Sequence, residues 1–307
     1  MKLIAPNYYP QFQCIAGACK HSCCIGWEID IDEDTLEAYK SMDGEIGKRL
    51  RASIDFDCDC PHFITGDDGR CPFLNRDNLC DLILTLGEDA LCGICDMHPR
   101  FRNDFSDRTE LGLGLCCEEA ARLILTREAP MQLMTLEDDG IEEEADESDL
   151  YLYSLRDNAL AVMQDREFSY AERAEHLAMT FDIDLPAPTP AHWAEVYLNL
   201  ERLDESWTAL LQSLQTDFTP NPFPQWDTAW EQLTVYFLYR HLPAALWDGD
   251  VESKIGFALL SVQMLQWICS AKDDVCFEDL LEFARMYASE IEYSDENLER
   301  LFTALKP

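Results

Sequence analysis

Twelve of the fourteen cysteines in this 307-residue chain lie between Cys14 and Cys117. They fall in tight groups: Cys14, Cys19, Cys23 and Cys24; Cys58 and Cys60; Cys71 and Cys80; Cys92 and Cys95; Cys116 and Cys117. Thiolates are soft anionic ligands, and turns rich in glycine let several converge, which suits Zn²⁺ or an iron–sulfur cluster. A disulfide scaffold can be equally dense, but it needs an oxidising compartment. Only Cys92 and Cys95 form a C-x2-C, so the paired spacing of a zinc finger is absent. Adjacent Cys23 and Cys24 point in different directions and would more easily serve different metal atoms or sites. The pattern predicts metal ligation and leaves the metal open. Cys269 and Cys276, far from the rest, read as small apolar residues on helices.

A few other residues could do chemistry. His98-Pro99-Arg100-Phe101-Arg102 is a small basic island after Cys95. Arg100 either holds a carboxylate and offsets thiolate charge, or pairs at the surface. Arg240 and His241, in YFLYRH, interrupt an apolar helix. Arg240 reads either as a paired structural arginine or as a cofactor or substrate contact. Tyr8 and Trp27 flank the first cysteine group and would shield a metal from water. Gly112-Leu113-Gly114 reads as a turn before Cys116, and no Gly-rich nucleotide loop follows a clear strand.

The elements around these residues change character along the chain. The first 128 residues are dense in turn signals, with short helices expected from about Asp34, at 81–86 and at 118–126. Residues 129–149 are expected to be an acidic linker, with nine acidic residues in thirteen over 137–149. From 150 to 307 the period becomes 3.6, with helices expected near 228–238, 251–270, 277–288 and 294–304. The stripe from Trp193 to Leu214 reads as one long apolar face, and prolines over 185–190 stop helices. The fold expected is mainly α: an irregular cysteine-rich metal-binding N-terminal module packed on a C-terminal helical bundle.

Charge narrows the function. With 23 Lys+Arg against 60 Asp+Glu, the formal net charge is −37. That excludes a general nucleic-acid binder and disfavours an anionic membrane surface. The N-terminus lacks the pattern of a signal peptide, and Ile255–Cys269 is too short and too polar to span a bilayer. A cytoplasmic protein with reduced thiols is therefore expected.

Four segments carry a family resemblance. PNYYPQFQCIAGACKHSCCIGWEIDIDEDTLEAY, CPFLNRDNLCDLILTLGEDALCGICDMHPR and LCCEEAAR resemble the flagellin lysine-N-methylase family, and also small cysteine-rich zinc- or iron-chelating domains. LTVYFLYRHLPAALWDGDVESKIGFALLSV resembles that family's C-terminal region. The resemblance implies metal ligands at Cys14, Cys19, Cys23, Cys24, Cys71, Cys80, Cys95 and Cys116; Cys58, Cys60, Cys92 and Cys117 fall outside its pattern. Cys117 stands where the family places proline. The resemblance also implies methyl transfer from S-adenosylmethionine to lysine ε-amines of flagellin, with an associated iron–sulfur cluster, [4Fe–4S], zinc being the alternative metal. Arg100 and Arg240 are the candidate cofactor contacts. Two other classes stay open: a non-catalytic iron- or zinc-binding module with a helical interaction domain, and a cluster enzyme on another substrate.

Overall fold

The computed structural model describes residues 1–141, 143–183, 189–215 and 218–306. The chain opens with strand β1 (Lys2–Pro6). Helices α1 (Glu33–Ser41) and α2 (Gly44–Ala52) follow, then strands β2 (Ile54–Asp55) and β3 (His62–Phe63), then the short helices α3 (Asp81–Leu86) and α4 (Gly93–Met97). Strands β4 (Arg100–Asp104) and β5 (Arg108–Leu113), helix α5 (Glu118–Leu125) and strand β6 (Leu133–Asp138) come next. Helices complete the described chain: α6 (Glu147–Met163), α7 (Tyr170–Thr180), α8 (Pro190–Leu198), α9 (Glu205–Ser213), α10 (Asp227–His241), α11 (Ala245–Asp248), α12 (Val251–Ala271), α13 (Phe277–Tyr287) and α14 (Asp295–Ala304). The protein is mainly α, as its 3.6-residue periodicity predicts.

Two compact units form. The smaller is Gln13–Arg100; the larger joins Met1–Phe12 to Phe101–Pro307. This partition differs from boundaries at 128 and 150. Both positions lie inside the larger unit because residues 133–138, within the expected linker, are strand β6. β1 is its partner: it runs parallel to β5, Ile4 opposite Glu110, and antiparallel to β6, Pro6 opposite Leu133. The sheet order is β4-β5-β1-β6. These strands are only five or six residues long and do not alternate cleanly between apolar and polar residues, so the pattern did not announce them.

In the larger unit, α10 and α12 are buried over almost their whole length. Such helices show little apolar asymmetry because every face meets protein. α12 is long and apolar enough to cross a membrane by composition, yet most of it is buried within the unit. Trp193, Trp207 and Trp230 are fully buried around it. The stripe from Trp193 to Leu214 is two helices, α8 and α9, separated by a turn at 199–204. Ser294 caps α14 as expected, accepting from the Asn297 amide at 3.3 Å. Of the proline-punctuated stretch at 184–193, residues 184–188 lie outside the described residues, and Pro190 opens α8.

Three buried carboxylates in this unit each sit among basic groups. Glu110 takes Arg156 Nη1 at 2.5 Å and Arg108 Nη2 at 2.9 Å. Glu231 takes Arg173 Nη1 at 2.5 Å and Arg166 Nη2 at 2.8 Å. Glu292 lies beside Arg240 and His241. Pairing is what lets a carboxylate stay inside at all, since an isolated buried charge costs several kcal/mol, on the order of the whole stability of a domain.

The smaller unit has a modest core of Ile29, Ile31, Leu36, Tyr39, Leu50, Ile54, Phe63, Phe73 and Leu82, with Cys71 and Cys92. Its joints are polar. Asp32, rather than Asp34, caps α1, accepting from Thr35 at 2.9 Å, and its second oxygen accepts from the Gly93 amide at 2.7 Å. One carboxylate therefore ties the starts of α1 and α4 together. The Tyr39 hydroxyl donates to the Ala90 carbonyl at 2.6 Å, fixing the approach to Cys92.

Candidate functional site

Backbone pairing gathers the thiols of the smaller unit. The Cys71 amide donates to the Cys24 carbonyl at 2.8 Å, and the Gly26 amide to Gly69 at 3.0 Å, so 24–26 runs beside 69–71. Leu74 then bridges Cys80, which stands at the start of α3. Cys92 begins α4 and Cys95 lies one turn on. Cys23 hydrogen-bonds Cys24, and Cys92 hydrogen-bonds Cys95.

The protonation pattern reports the crowding. The Cys23 hydrogen bond, followed by Ser22 and the Arg70 charge, outweighs burial and holds Cys24 down at about 7. Burial, then the charges of Cys24 and Cys80, push Cys71 up to about 12. Cys95 is driven up by its bond with Cys92, by burial, and by the charges of Cys92, Cys24 and Cys71. Cys71 and Cys95, pushed up, would give up their protons readily only to a bound cation, whereas Cys24 and Cys92 are held below the ordinary thiol value by their cysteine neighbours. Their chemistry fits a thiophilic metal or an iron–sulfur cluster.

Of the eight cysteines implied by the resemblance, the structure brings together Cys23, Cys24, Cys71, Cys80 and Cys95. It adds Cys92, whose C-x2-C spacing with Cys95 was the available signal. Cys14 and Cys19 flank a turn at Ala16–Ala18; a Cβ on Gly17 would come 2.8 Å from the Asp77 carbonyl, so glycine allows that turn to sit against residues 77–78. Cys116 belongs to the larger unit. Trp27 donates from Nε1 to the Cys23 carbonyl at 2.5 Å, consistent with a shielding position. Tyr8 does not share it, because its ring is buried in the core of the larger unit. Arg100 donates from Nη1 to the Asp96 carbonyl at 3.2 Å, at the end of α4.

A second constellation forms in the larger unit around Arg240. Gly112 and Leu113 are the end of β5 rather than a free turn, and a Cβ on Gly112 would strike the Phe101 ring at 2.1 Å. Glycine thus lets Phe101 lie flat on the strand, 4.9 Å from the Arg240 guanidinium. The Tyr293 ring lies 5.3 Å from the same guanidinium. Arg240 donates from Nη1 to the Tyr236 hydroxyl at 2.8 Å, and its Nε is 3.4 Å from Glu292. Tyr236 donates to Glu292 at 2.8 Å, and His241 Nε2 lies 2.6 Å from it.

Glu292 ends a π-helical turn, Ala288–Glu292, between α13 and α14. Such turns commonly mark functional positions. Although burial opposes ionisation, Arg240, His241 and Tyr236 hold Glu292 below the usual carboxylate range. Burial keeps His241 below the ordinary histidine value against the pull of Glu292. The resulting pair is carboxylate and guanidinium, with a neutral imidazole beside them. Cys116 donates its thiol to the Tyr293 hydroxyl at 3.0 Å, and burial pushes that thiol up to about 11. No spacing in the sequence linked Arg240 to Glu292, Tyr293 or Phe101.

The FliB lysine N-methylase C-terminal domain matches residues 188–307. The flagellar biosynthetic protein FliU of Salmonella muenchen is 30% identical over 138 residues, covering 42% of this chain and 79% of that protein. The chain belongs to the flagellin lysine-N-methylase family. The lysine-N-methylase of Salmonella typhimurium is 28% identical over 134 residues, 42% of this chain but 33% of that protein. The lysine-N-methylase of Salmonella choleraesuis matches to the same extent. The match thus spans about a third of each of these two family members. No solved structure matches the chain. Arg240, His241, Glu292 and Tyr293 all lie within the matched family domain.

Proposed function

We propose that this chain is a protein-lysine N-methyltransferase that takes its methyl group from S-adenosylmethionine and acts on flagellin. The reading includes an iron–sulfur cluster on the thiols of the smaller unit. One observation carries it: the buried Arg240–Glu292 pair, flanked by aromatic faces, falls in the segment that resembles a lysine N-methylase domain. A guanidinium has five N–H donors, and Tyr236 and Glu292 occupy two of them here. The others suit a carboxylate such as that of the cofactor's methionine part. Phe101 and Tyr293 offer ring faces that favour a sulfonium or an ammonium.

When bound, the cofactor supplies an electrophilic methyl, so a C–N bond to lysine forms as the C–S bond breaks. The residues here hold and orient. A tyrosine hydroxyl is protonated at neutral pH, so that of Tyr293, which accepts from Cys116, positions a partner and does not remove a proton. Glu292 is occupied by Arg240, His241 and Tyr236; its charge fixes Arg240 and draws cations inward. Four of Cys23, Cys24, Cys71, Cys80, Cys92 and Cys95 would hold the cluster. Cys14, Cys19 and Cys116 stand as ligands by resemblance alone.

Calorimetry with S-adenosylmethionine tests the reading on protein purified without oxygen, whose iron and sulfide are also measured. Binding should be about tenfold or more weaker in Arg240→Gln, the scale of a lost charged hydrogen bond. Mass spectrometry of co-expressed flagellin should show methylated lysines. Absence of cofactor binding overturns methyl transfer. Cofactor binding with unmodified flagellin overturns only the substrate.

A further inference from the structure

We propose that Glu28, Asp30 and His62 form a binding site for a first-row divalent cation, separate from the thiol group. The sequence EIDID at 28–32 alternates acid and apolar residues, which in an extended segment puts the acids on one face. The apolar alternates are core: Ile29 and Ile31 are buried, and so is Phe63 opposite them. The Phe63 amide donates to the Ile29 carbonyl at 3.1 Å and the Ile31 amide to Pro61 at 2.8 Å. Asp30 therefore pairs with His62 across the ladder, and their side chains share the outer face with Glu28.

The imidazole settles what this face lacks. His62 Nδ1 lies 3.0 Å from the Cys60 carbonyl oxygen, which can only accept. Nδ1 therefore carries the proton in the neutral ring, and Nε2 presents a lone pair. Nε2 faces Glu28, 3.3 Å from Oε2, where the carboxylate too can only accept, so a proton or a cation must stand between them. The ligand atoms of Glu28, Asp30 and His62 all lie within 4.8 Å of one another. Three acceptors thus converge where a cation would satisfy them together.

A histidine that donates one ring N–H to a backbone carbonyl and offers the other nitrogen outward is the arrangement metal-ligating histidines use. Imidazole with two carboxylates suits a borderline divalent ion such as zinc, with water completing the shell. Of the three, Asp30 also lines an open cavity of about 490 Å³ with Asp32, Asp59 and Cys60. Bound metal would clamp 28–30 to 60–63 and brace Ile29, Ile31 and Phe63 beneath.

Zinc titration against a chromophoric chelator tests this on the whole chain with its iron retained. Wild type should take up one more zinc equivalent than His62→Gln. Glu28→Gln, an exposed change that spares the ladder, should weaken that equivalent tenfold or more. Iron content and helicity should stay level across all three proteins. Equal zinc uptake in wild type and both variants overturns the site. Uptake that occurs only as iron is lost assigns the zinc to the thiols and overturns it equally.

Discussion

The two compact units stabilise themselves by different means. The larger hides helices α10 and α12 over most of their length and pairs the buried Glu110, Glu231 and Glu292 with arginines. The smaller hides a short set of side chains and relies on polar ties such as Asp32 between α1 and α4. Small domains bury too little apolar surface to be secure, and bound metal commonly makes up the difference. The contrast teaches that the same chain can contain one unit that stands on an extensive core and another that has a small core and leans on polar ties.

The largest effect should come from metal removal. Structural zinc in small domains contributes roughly 10–16 kcal/mol, so stripping the thiol group should unfold residues 13–100. Hydrogen exchange should lose protection at Tyr39 and Phe63 while Trp230 and Leu265 stay protected. Equal loss in both units would break the comparison. Next, Arg156→Ala leaves Glu110 buried with a single remaining partner, Arg108, and should cost about 3–5 kcal/mol in chemical denaturation. That loss should appear at the transition of the larger unit.

An acid titration separates the units further. Burial, reinforced by the Arg100 charge, lowers His98 from its ordinary value of 6.5 to about 4. Between those values the unfolded chain binds a proton that the folded chain refuses, so stability falls as pH drops from about 6.5 toward 4. His98→Gln should flatten that slope, by about 2 kcal/mol over the window. The smallest effect should be Ser294→Ala: loss of the α14 cap should cost about 1 kcal/mol in thermal unfolding of the larger unit.

How much of this was legible depended on whether the signal was local. Helices α10, α12, α13 and α14 could be read from period and caps, which are signals local to each helix; α11 could not. Cys92 announced itself through Cys95, although the family pattern passed over it. Strand β1 could not be read, because its pairing depends on residues 108–110 and 133–138, more than 100 positions distant. Glu292 was equally silent. Its meaning comes from Arg240 and His241, which only the packing of α10 against the π-helical turn supplies. Tyr8 misled for the opposite reason: neighbours in sequence to the first cysteines, its residues fold with the other unit.

The pairing of β1 has a consequence for how the chain withstands proteases. Residues 13–100 leave the larger unit after β1 and return at β4, so they are anchored at both ends. A single nick inside that stretch would sever the polypeptide without releasing a fragment. Met1–Pro6 would stay laced between β5 and β6 by backbone hydrogen bonds. A cleaved molecule should therefore migrate as two pieces in denaturant and as one without it, and only two cuts would shed the thiol-bearing unit.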